Sequence, residues 1–296
     1  MKYRTLFLLL IGYVLIGSMS CEKNPAKPGY QKEVSVFGFL WGNTALTPEH
    51  AILITHSQPI DDYYDVNEAA ISNTLVTVTD ENSGRTYFLK EVAGKPGFYY
   101  NDSLFVTPKT TYLLRVFLDD REVTAYTTVP PELKMTTALK IDEVNYVYRD
   151  NLGFEKPVTL ETENANQIIK VEMFCNETYD KAEYIYPFTN DHKFPEDQDE
   201  YDQGANAEPR HIQTLVNYRD LISSQFPGHV VYWYSSMIVF YGSNTMQILA
   251  IDDNYHNYFH MEHPELNGGI NGGIGVFGSV CGQKFDLFVM KDSGGL

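Results

Sequence analysis

The sequence predicts a mainly β protein, in which an N-terminal immunoglobulin-like β-sandwich precedes a second β-rich (α+β) domain. Two observations lead to this prediction. Residues 34–131 form a series of short segments in which apolar and polar residues alternate, and clusters of turn-forming residues separate these segments. Such alternation is typical of strands with one buried face. Residues 132–296 also contain strand-like segments, but these are less regular and leave room for one or two short helices.

The first predicted domain is built from short strands joined by tight turns. The segments 75–79 and 85–89 flank Glu81-Asn82-Ser83-Gly84, a composition typical of a hairpin turn. Several short strands in a segment of this length are typical of an immunoglobulin-like sandwich. The predicted strands cover residues 34–41, 51–56, 75–79, 85–89, 97–100, 112–118 and 122–128.

The predicted domain boundary lies at Pro130-Pro131, because paired prolines cannot donate backbone hydrogen bonds. Beyond it, residues 211–225 have apolar residues at helical spacing. Asp252 is predicted to cap a second helix, which ends at His263 before Pro264. The predicted strands of this second domain cover residues 138–148, 167–177, 230–241 and 246–251.

The N-terminus predicts a lipoprotein signal peptide over residues 1–20. Lys2 and Arg4 precede an apolar segment that is too short to span a bilayer, and Cys21 follows small residues. We expect lipidation of Cys21 by fatty acyl chains such as palmitate, which would hold the protein at a membrane. Residues 22–33 contain prolines and no apolar periodicity, so residues 21–33 are predicted to be a lipidated tether. Ordinary secretion with a coincidental cysteine is the alternative.

The charge and the cysteines limit the function. A formal net charge of −17 disfavours binding to nucleic acid, and it offers no basic patch for anionic lipid. Two further cysteines, Cys175 and Cys281, lie in strand-like segments. Outside the cytoplasm they can form a disulfide, and two buried thiols are the alternative.

The run Gly273-Ile274-Gly275-Val276-Phe277-Gly278 matches the G-x-G-x-x-G pattern of dinucleotide-binding loops. That function needs a strand before the pattern and a helix after it. The residues that follow Gly278 look extended instead. We therefore predict a glycine-rich loop that leads into a strand, and we predict no cofactor.

Three histidines are the candidate metal ligands. His256, His260 and His263 are spaced so that they share one face of a helix, where they can hold Zn²⁺ and leave a position open for water. The H-E-x-x-H motif of metalloproteases is absent, because Asn257 follows His256. We predict no metal site and keep surface or packing histidines as the preferred interpretation.

An acidic segment and a tyrosine-rich segment are the remaining candidates. Residues 197–202 are rich in Asp and Glu, but their spacing fails the EF-hand pattern, so a solvated loop is expected. Residues 61–65 combine Asp and Tyr, as binding surfaces do, although exposed tyrosines are also common in β proteins. No G-x-S-x-G motif is present, and no catalytic residue is predicted.

Several segments together resemble a family of Bacteroidetes lipoproteins described as domain of unknown function 4249. They are the end of the signal peptide with Cys21 and the tether, and residues 73–89, 97–116, 127–131 and 270–279. In this chain Lys109 follows Pro108 where the resemblance leads us to expect glycine. The resemblance implies an outer-membrane lipoprotein, associated with TonB-dependent receptors, without an established activity.

We therefore expect a binding or accessory lipoprotein of the cell envelope. Its partner would be an envelope protein, such as a TonB-dependent receptor, or a glycan. A zinc-dependent or other hydrolase and a structural envelope protein are the alternatives. The sequence does not decide between the periplasmic and the surface-exposed side of the outer membrane.

Overall fold

The computed structural model describes residues 30–59, 63–119, 121–135, 143–146, 158–177, 211–217, 230–232 and 241–291. Within these ranges the chain is mainly β, which confirms the predicted fold class. The helices in these ranges are short. None of them has the length and hydropathy that crossing a bilayer requires.

Before Pro130 the described chain forms nine strands, one 3-10 turn at Pro48–His50 and one short helix. The strands are β1 (Val34–Trp41), β2 (Ala45–Leu46), β3 (Ile52–His56), β4 (Leu75–Asp80), β5 (Arg85–Phe88), β6 (Lys90–Val92), β7 (Lys95–Phe105), β8 (Thr111–Phe117) and β9 (Glu122–Thr128), and α1 spans Val66–Ala69.

After Pro131 the described residues add nine strands and two helices. The strands are β10 (Lys134–Met135), β11 (Glu143–Tyr146), β12 (Val158–Glu161), β13 (Ile168–Cys175), β14 (His211–Asn217), β15 (Val230–Tyr232), β16 (Gly242–Ile251), β17 (Ile270–Asn271) and β18 (Ile274–Lys291). The helices are α2 (Asp253–His260) and α3 (Pro264–Asn267).

The described strands form three sheets. A ten-stranded sheet has the order β14-β13-β16-β18-β1-β3-β7-β2, and β11 and β6 pair with β18 and β7 off this path. A five-stranded sheet has the order β17-β9-β8-β4-β5, and β10, β12 and β15 form a small third sheet. Most pairs are antiparallel, but β1 pairs with β18 in parallel from Ser35↔Ile274 to Trp41↔Val280.

The main core lies between the five-stranded sheet and one face of the ten-stranded sheet. In β1 the alternation that predicted the strand buries Val34, Val36 and Leu40, while Phe37 is exposed on the opposite face. Val76 and Val78 of β4 meet them from the other sheet, together with five residues of β8 and β9 and the residue that follows β9. Those six are Tyr112, Leu114, Val116, Val123, Ala125 and Val129. Each fully buried aliphatic side chain stabilises the fold by about 1.5–3 kcal/mol.

Helix α2 packs on the opposite face of the ten-stranded sheet. Its Tyr255 joins Leu249, Ile251 and Val280 in a second apolar cluster, and Phe39 of β1 packs against that cluster. Asp252 caps this helix as predicted, because its side chain accepts a hydrogen bond from the backbone N–H of Tyr255. The helix ends at His260, three residues earlier than predicted.

Strand β18 joins the two predicted domains. It contributes Phe277 and Cys281 to the core of the sandwich, although both residues follow the predicted boundary at Pro130-Pro131. β18 also passes close to β16, since a Cβ atom at Gly282 would lie 1.9 Å from the backbone oxygen of Ile248. The hydrogen bonds of the ten-stranded sheet therefore connect residues on both sides of Pro130-Pro131. That these prolines separate two folding units stays a prediction.

One predicted helix is wrong. Residues His211–Asn217 form β14, which pairs with β13 from Ile168↔Asn217 to Phe174↔His211. The apolar residues of this segment are only weakly spaced for a helix. Pairing of seven residues with the buried strand β13 stabilises the strand conformation instead, because tertiary contacts can override the conformational preference of a short segment. Residues 218–225 of that prediction lie outside the described residues.

The predicted hairpin is confirmed. Asp80 at the end of β4 accepts hydrogen bonds from the backbone N–H groups of Asn82 and Ser83, at 2.9 and 3.1 Å. Gly84 supplies the left-handed conformation, with φ of +71°. The glycine-rich run was expected to be a loop that leads into a strand, but only Gly273 precedes β18, which begins at Ile274 and continues as a strand to Lys291.

Candidate functional site

A cleft of about 490 Å³ lies where the end of β9 approaches the start of β13 and the start of α2. We call it the amide cleft, because four side-chain amides line it: Asn164, Asn166, Gln167 and Asn254. The other lining residues are Lys109, Tyr126, Thr127, Thr128, Val129, Pro130, Pro131, Ile168, Ile251, Asp252 and Asp253.

The floor of the amide cleft is a buried polar network. The hydroxyl oxygen of Thr127 lies 2.5 Å from Oδ2 of Asp252 and 2.7 Å from Oγ of Ser279. A hydroxyl has one proton, so when Thr127 donates to the carboxylate it can only accept from Ser279. Thr127 and Ser279 are both buried. The network therefore joins β9 of one sheet to β18 of the other by polar contacts inside an apolar core.

Asp252 is held at this floor by its own helix and by β18. Its Oδ1 accepts from the backbone N–H of Tyr255 at 2.9 Å, and its backbone N–H donates to the oxygen of Ser279 at 3.0 Å. Burial raises the pKa of the Asp252 carboxyl above its usual range, although the hydrogen bonds from Thr127, Tyr255 and Ser279 oppose that rise. Carboxyl groups with perturbed pKa values in clefts are characteristic of functional sites.

Two amides fix the walls of the cleft. Nδ2 of Asn254 donates to the backbone oxygens of Tyr126 and Phe277, at 2.6 and 2.8 Å. Nε2 of Gln167 donates to the backbone oxygens of Ile168 and Ile251, at 3.0 and 2.8 Å. These side chains tie β9 to β18 and β13 to β16, so the cleft is formed by the fold itself.

The rim of the cleft is more exposed, and its charged lining residues are Lys109 and Asp253. Lys109 pairs with Glu163 at 2.9 Å, and both side chains are exposed. The ring of Tyr126 is 54% exposed, so it offers an apolar face to a ligand. Exposed Asn164 and Asn166 add donors and acceptors on the opposite side. This arrangement suits a polar ligand with many hydroxyl groups and little charge.

Cys175 and Cys281 do not form a disulfide, which was one of the two alternatives for them. Cys175 on β13 and Cys281 on β18 are buried thiols separated by β16. Across β16, Cys175 faces Asn244, which pairs with Leu287, six residues beyond Cys281. Six residues span about 20 Å along a strand, whereas bridged cysteines have Cα atoms within about 7 Å. Burial raises the pKa of Cys281 to about 11.

The three histidines do not share one helical face. The rings of His256 and His260 lie 5.4 Å apart on α2, but the helix ends there, and His263 has a left-handed backbone with φ of 56°. In the described ranges no group of three His, Cys, Asp or Glu residues is placed to hold a metal ion. The three candidate histidines are not brought to one face because the chain leaves the helix at Met261 and Glu262.

Some of the other candidate residues lie outside the described ranges. Cys21 and the acidic segment 197–202 lie outside the described residues, as do Asp61 and Asp62. Tyr63 is 91% exposed. Of the residues of the amide cleft, the sequence patterns singled out Asp252 as a helix cap and Pro130-Pro131 as a domain boundary, and they indicated none of them as a binding residue. No local signal connects Thr127 with Ser279, because 152 positions separate them.

A family model described as domain of unknown function (DUF4249) matches residues 40–281. The chain belongs to this family. A comparison with curated proteins finds no match. In this DUF4249 protein the matched segment begins inside β1 and ends at Cys281 of β18. It therefore includes every residue of the amide cleft, whereas only the last two residues of β1 fall inside it.

Proposed function

We propose that this DUF4249 protein is a lipid-anchored binding protein of the bacterial outer membrane, which takes a hydroxyl-rich, largely uncharged ligand of the glycan type in the amide cleft. The observation that carries the proposal is the combination of four amides, the exposed ring of Tyr126 and the buried carboxyl of Asp252 around one cleft. A few fixed polar groups beside an apolar surface are typical of small-ligand sites.

The geometry supports binding because little has to be ordered when the ligand arrives. Asn254, Gln167 and Thr127 are already held by hydrogen bonds that belong to the fold. A pre-organised site loses less conformational entropy on binding. Tyr126 presents a flat apolar face, which suits the apolar face of a sugar ring.

The anchor and the partner are further parts of the proposal, supported by the sequence. The signal peptide and Cys21 support lipidation and export, and the family resemblance supports the outer membrane of a Bacteroidetes cell. In this setting the protein would bring its ligand to a TonB-dependent receptor. Mass spectrometry of the mature N-terminus should find the acyl mass on Cys21. Membrane partitioning that persists in Cys21→Ala contradicts the anchor.

Ligand binding is tested by screening the purified chain against a panel of neutral and acidic oligosaccharides, followed by calorimetry on the hits. We expect Tyr126→Ala and Asn166→Ala each to weaken binding about tenfold, since each removes a contact worth about 1–2 kcal/mol. Tyr63→Ala is the matched control, because it removes an exposed ring away from the cleft. Binding that survives both cleft variants excludes the amide cleft.

The accessory role is tested in the native envelope. Chemical crosslinking followed by purification should recover one receptor in stoichiometric amounts, and deletion of the gene should reduce uptake of that receptor's substrate. Recovery of bulk envelope proteins together with unchanged uptake would instead favour the structural alternative.

A further inference from the structure

A second cleft, of about 500 Å³, lies at the opposite end of β9 from the amide cleft. We call it the cationic cleft, because its described lining carries Lys32, His56 and Arg121 against one acidic residue, Asp119. The remaining lining residues are Val34, Ile71, Ser72, Asn73, Thr74 and Leu118. In a chain with 39 acidic and 22 basic residues, this local excess of positive charge is unusual.

The cationic groups come from three different parts of the sandwich. Lys32 precedes β1, and His56 ends β3, where it pairs with Val34 of β1. Arg121 lies in the turn between β8 and β9, which is closed by the backbone hydrogen bond from Leu118 to Arg121 at 2.9 Å. The fold therefore collects charges that are far apart in the sequence.

His56 has hydrogen-bonding capacity that the described residues leave unused. Its Nδ1 is buried and has no hydrogen-bond partner among them. Burial lowers the pKa of His56, and the charge of Lys32 lowers it further. A hydrogen bond with the backbone of Glu33 opposes this, and the charge of Arg121 has the smallest lowering effect. A buried ring nitrogen beside two cations would gain a partner from an anion that enters the cleft.

The rest of the lining can contribute neutral donors. Ser72 and Asn73 are exposed in the loop before β4, and Asn73 has a left-handed backbone with φ of 55°. Thr74 is already committed, because its hydroxyl donates to the backbone oxygen of Phe117 at 2.5 Å. Hydroxyl and amide donors beside cations are the groups that hold tetrahedral oxyanions.

We propose that the cationic cleft binds a phosphate group. Phosphate monoesters carry up to two negative charges near neutral pH, which matches Lys32 and Arg121, and they can share a proton with His56. The volume of the cleft exceeds that of one phosphate, so it also accommodates part of the molecule that carries it. This site is separate from the amide cleft and goes beyond the function proposed above.

Two sources can supply this phosphate. Lys32 lies eleven positions after Cys21, so an anchor on that cysteine would keep the cleft within about 40 Å of the bilayer and its lipid phosphates. A soluble phosphorylated compound is the other source. The chemistry of recognition is the same in both cases, and the experiments below distinguish them.

The first experiment is calorimetric titration of inorganic phosphate into the purified full chain at low ionic strength. We expect saturable binding, which Lys32→Gln and Arg121→Gln each weaken about tenfold because each removes a charge-assisted hydrogen bond. Lys109→Gln is the matched control, because it removes one exposed positive charge at the amide cleft. Absence of saturable binding, or equal weakening in the control, overturns the proposal.

The second experiment follows the ring of His56 by NMR as the pH is varied, with and without saturating phosphate. We expect bound phosphate to raise the pKa of His56, because an anion stabilises the protonated ring. The charged side chains that line the cleft around it are Lys32, Arg121 and Asp119, and all three remain in place in both titrations. An unchanged pKa overturns the placement of phosphate beside His56.

The third experiment identifies the source, using the Cys21→Ala chain so that acyl groups do not hold it on vesicles. Sedimentation with phosphatidylcholine vesicles that contain phosphatidic acid, abolished by Arg121→Gln but not by Lys109→Gln, assigns the phosphate to lipid. Binding of inorganic phosphate without vesicle binding assigns it to a soluble compound. Failure of both overturns the proposal. Tyr126→Ala should leave phosphate binding unchanged, which separates this test from that of the amide cleft.

Discussion

The amide cleft and the cationic cleft lie at the two ends of one strand. β9 has seven residues, so the clefts are about 20 Å apart. At one end the polar groups are already bonded to each other, as in the contact of 2.5 Å between Thr127 and Asp252. At the other end the Nδ1 atom of His56 has no partner among the described residues. The bonded groups at the floor of the amide cleft stabilise the fold and leave ligand contacts to its exposed rim, whereas His56 can itself contact a ligand.

This difference follows from what meets β9 at each end. Its C-terminal end meets β18 and the cap of α2, and both are packed against the core. Its N-terminal end meets the exposed turn around Arg121 and the segment that leads into β1. Perturbing the bonded floor of the amide cleft should therefore change the free energy of unfolding strongly, whereas perturbing the cationic cleft should change stability little and binding of an anion more.

The largest effect concerns Cys281, which lies on the same face of β18 as Ser279 and points into the core behind the amide cleft. Because the pKa of Cys281 is raised to about 11, its thiolate population at neutral pH is about a hundredfold lower than that of a free cysteine. Labelling with a thiol reagent should be at least that much slower in the folded protein than in urea. Rapid labelling of folded protein at Cys281, located by peptide mass spectrometry, contradicts a rigid amide cleft.

Asp252→Ala is expected to lower the free energy of unfolding by about 2 kcal/mol, because it removes a helix cap and leaves Thr127 without its carboxylate acceptor. Chemical denaturation measures this change. Asp65→Ala is the matched control, because Asp65 caps the four-residue helix α1 through Asn67 and takes part in no buried network. We expect a loss of less than about 1 kcal/mol there. Equal losses contradict the importance of the network.

Asp252→Asn tests the raised pKa of the carboxyl. In the wild type the folded state holds the proton of Asp252 more tightly than the unfolded state, whose value is about 3.9. The wild type therefore loses stability as the pH rises from that value through the pKa of the folded state. Asn keeps the cap, so the stability of the variant relative to the wild type should increase over this window. A difference that does not depend on pH contradicts the prediction.

His56→Gln should have the smallest effect and the opposite dependence on pH. The pKa of His56 is lowered in the folded state, so the unfolded state, with a value of about 6.5, holds the proton more tightly. The wild type thus loses stability as the pH falls from that value through the pKa of the folded state, and the variant does not. Unfolding curves in this pH window measure the difference. Phosphate should reduce it, because bound anion favours the protonated ring.

Local patterns predicted local structure well. β1 and β9 have the predicted bounds because apolar alternation along each strand matches the buried face of its sheet. Asp252 and Pro264 marked the limits of the segment that holds α2, since capping and helix termination depend on neighbours in sequence. β14 was missed because its apolar residues also fit a helix, and only its pairing with β13 decides between them.

Sequence patterns did not predict either cleft. Lys32, His56 and Arg121 show no shared motif, and β3 and the β8–β9 turn bring them together only in the folded sandwich. The disulfide, one of two alternatives for Cys175 and Cys281, and the shared helical face of the three histidines are absent from the described residues for a related reason. Each depends on how strands or helices are arranged relative to one another, and the spacing of residues along the chain does not determine that arrangement.

The parallel pair of β1 and β18 has a consequence for how the protein is made. Val36 of β1 pairs with Gly275 of β18, although 239 positions separate them. One edge of β1 therefore stays without a paired strand until nearly the whole chain has been synthesised. Contacts of such long range slow folding, and a bare strand edge invites pairing with other chains. A nascent protein that emerges N-terminus first would therefore need protection against aggregation until β18 is in place beside β1.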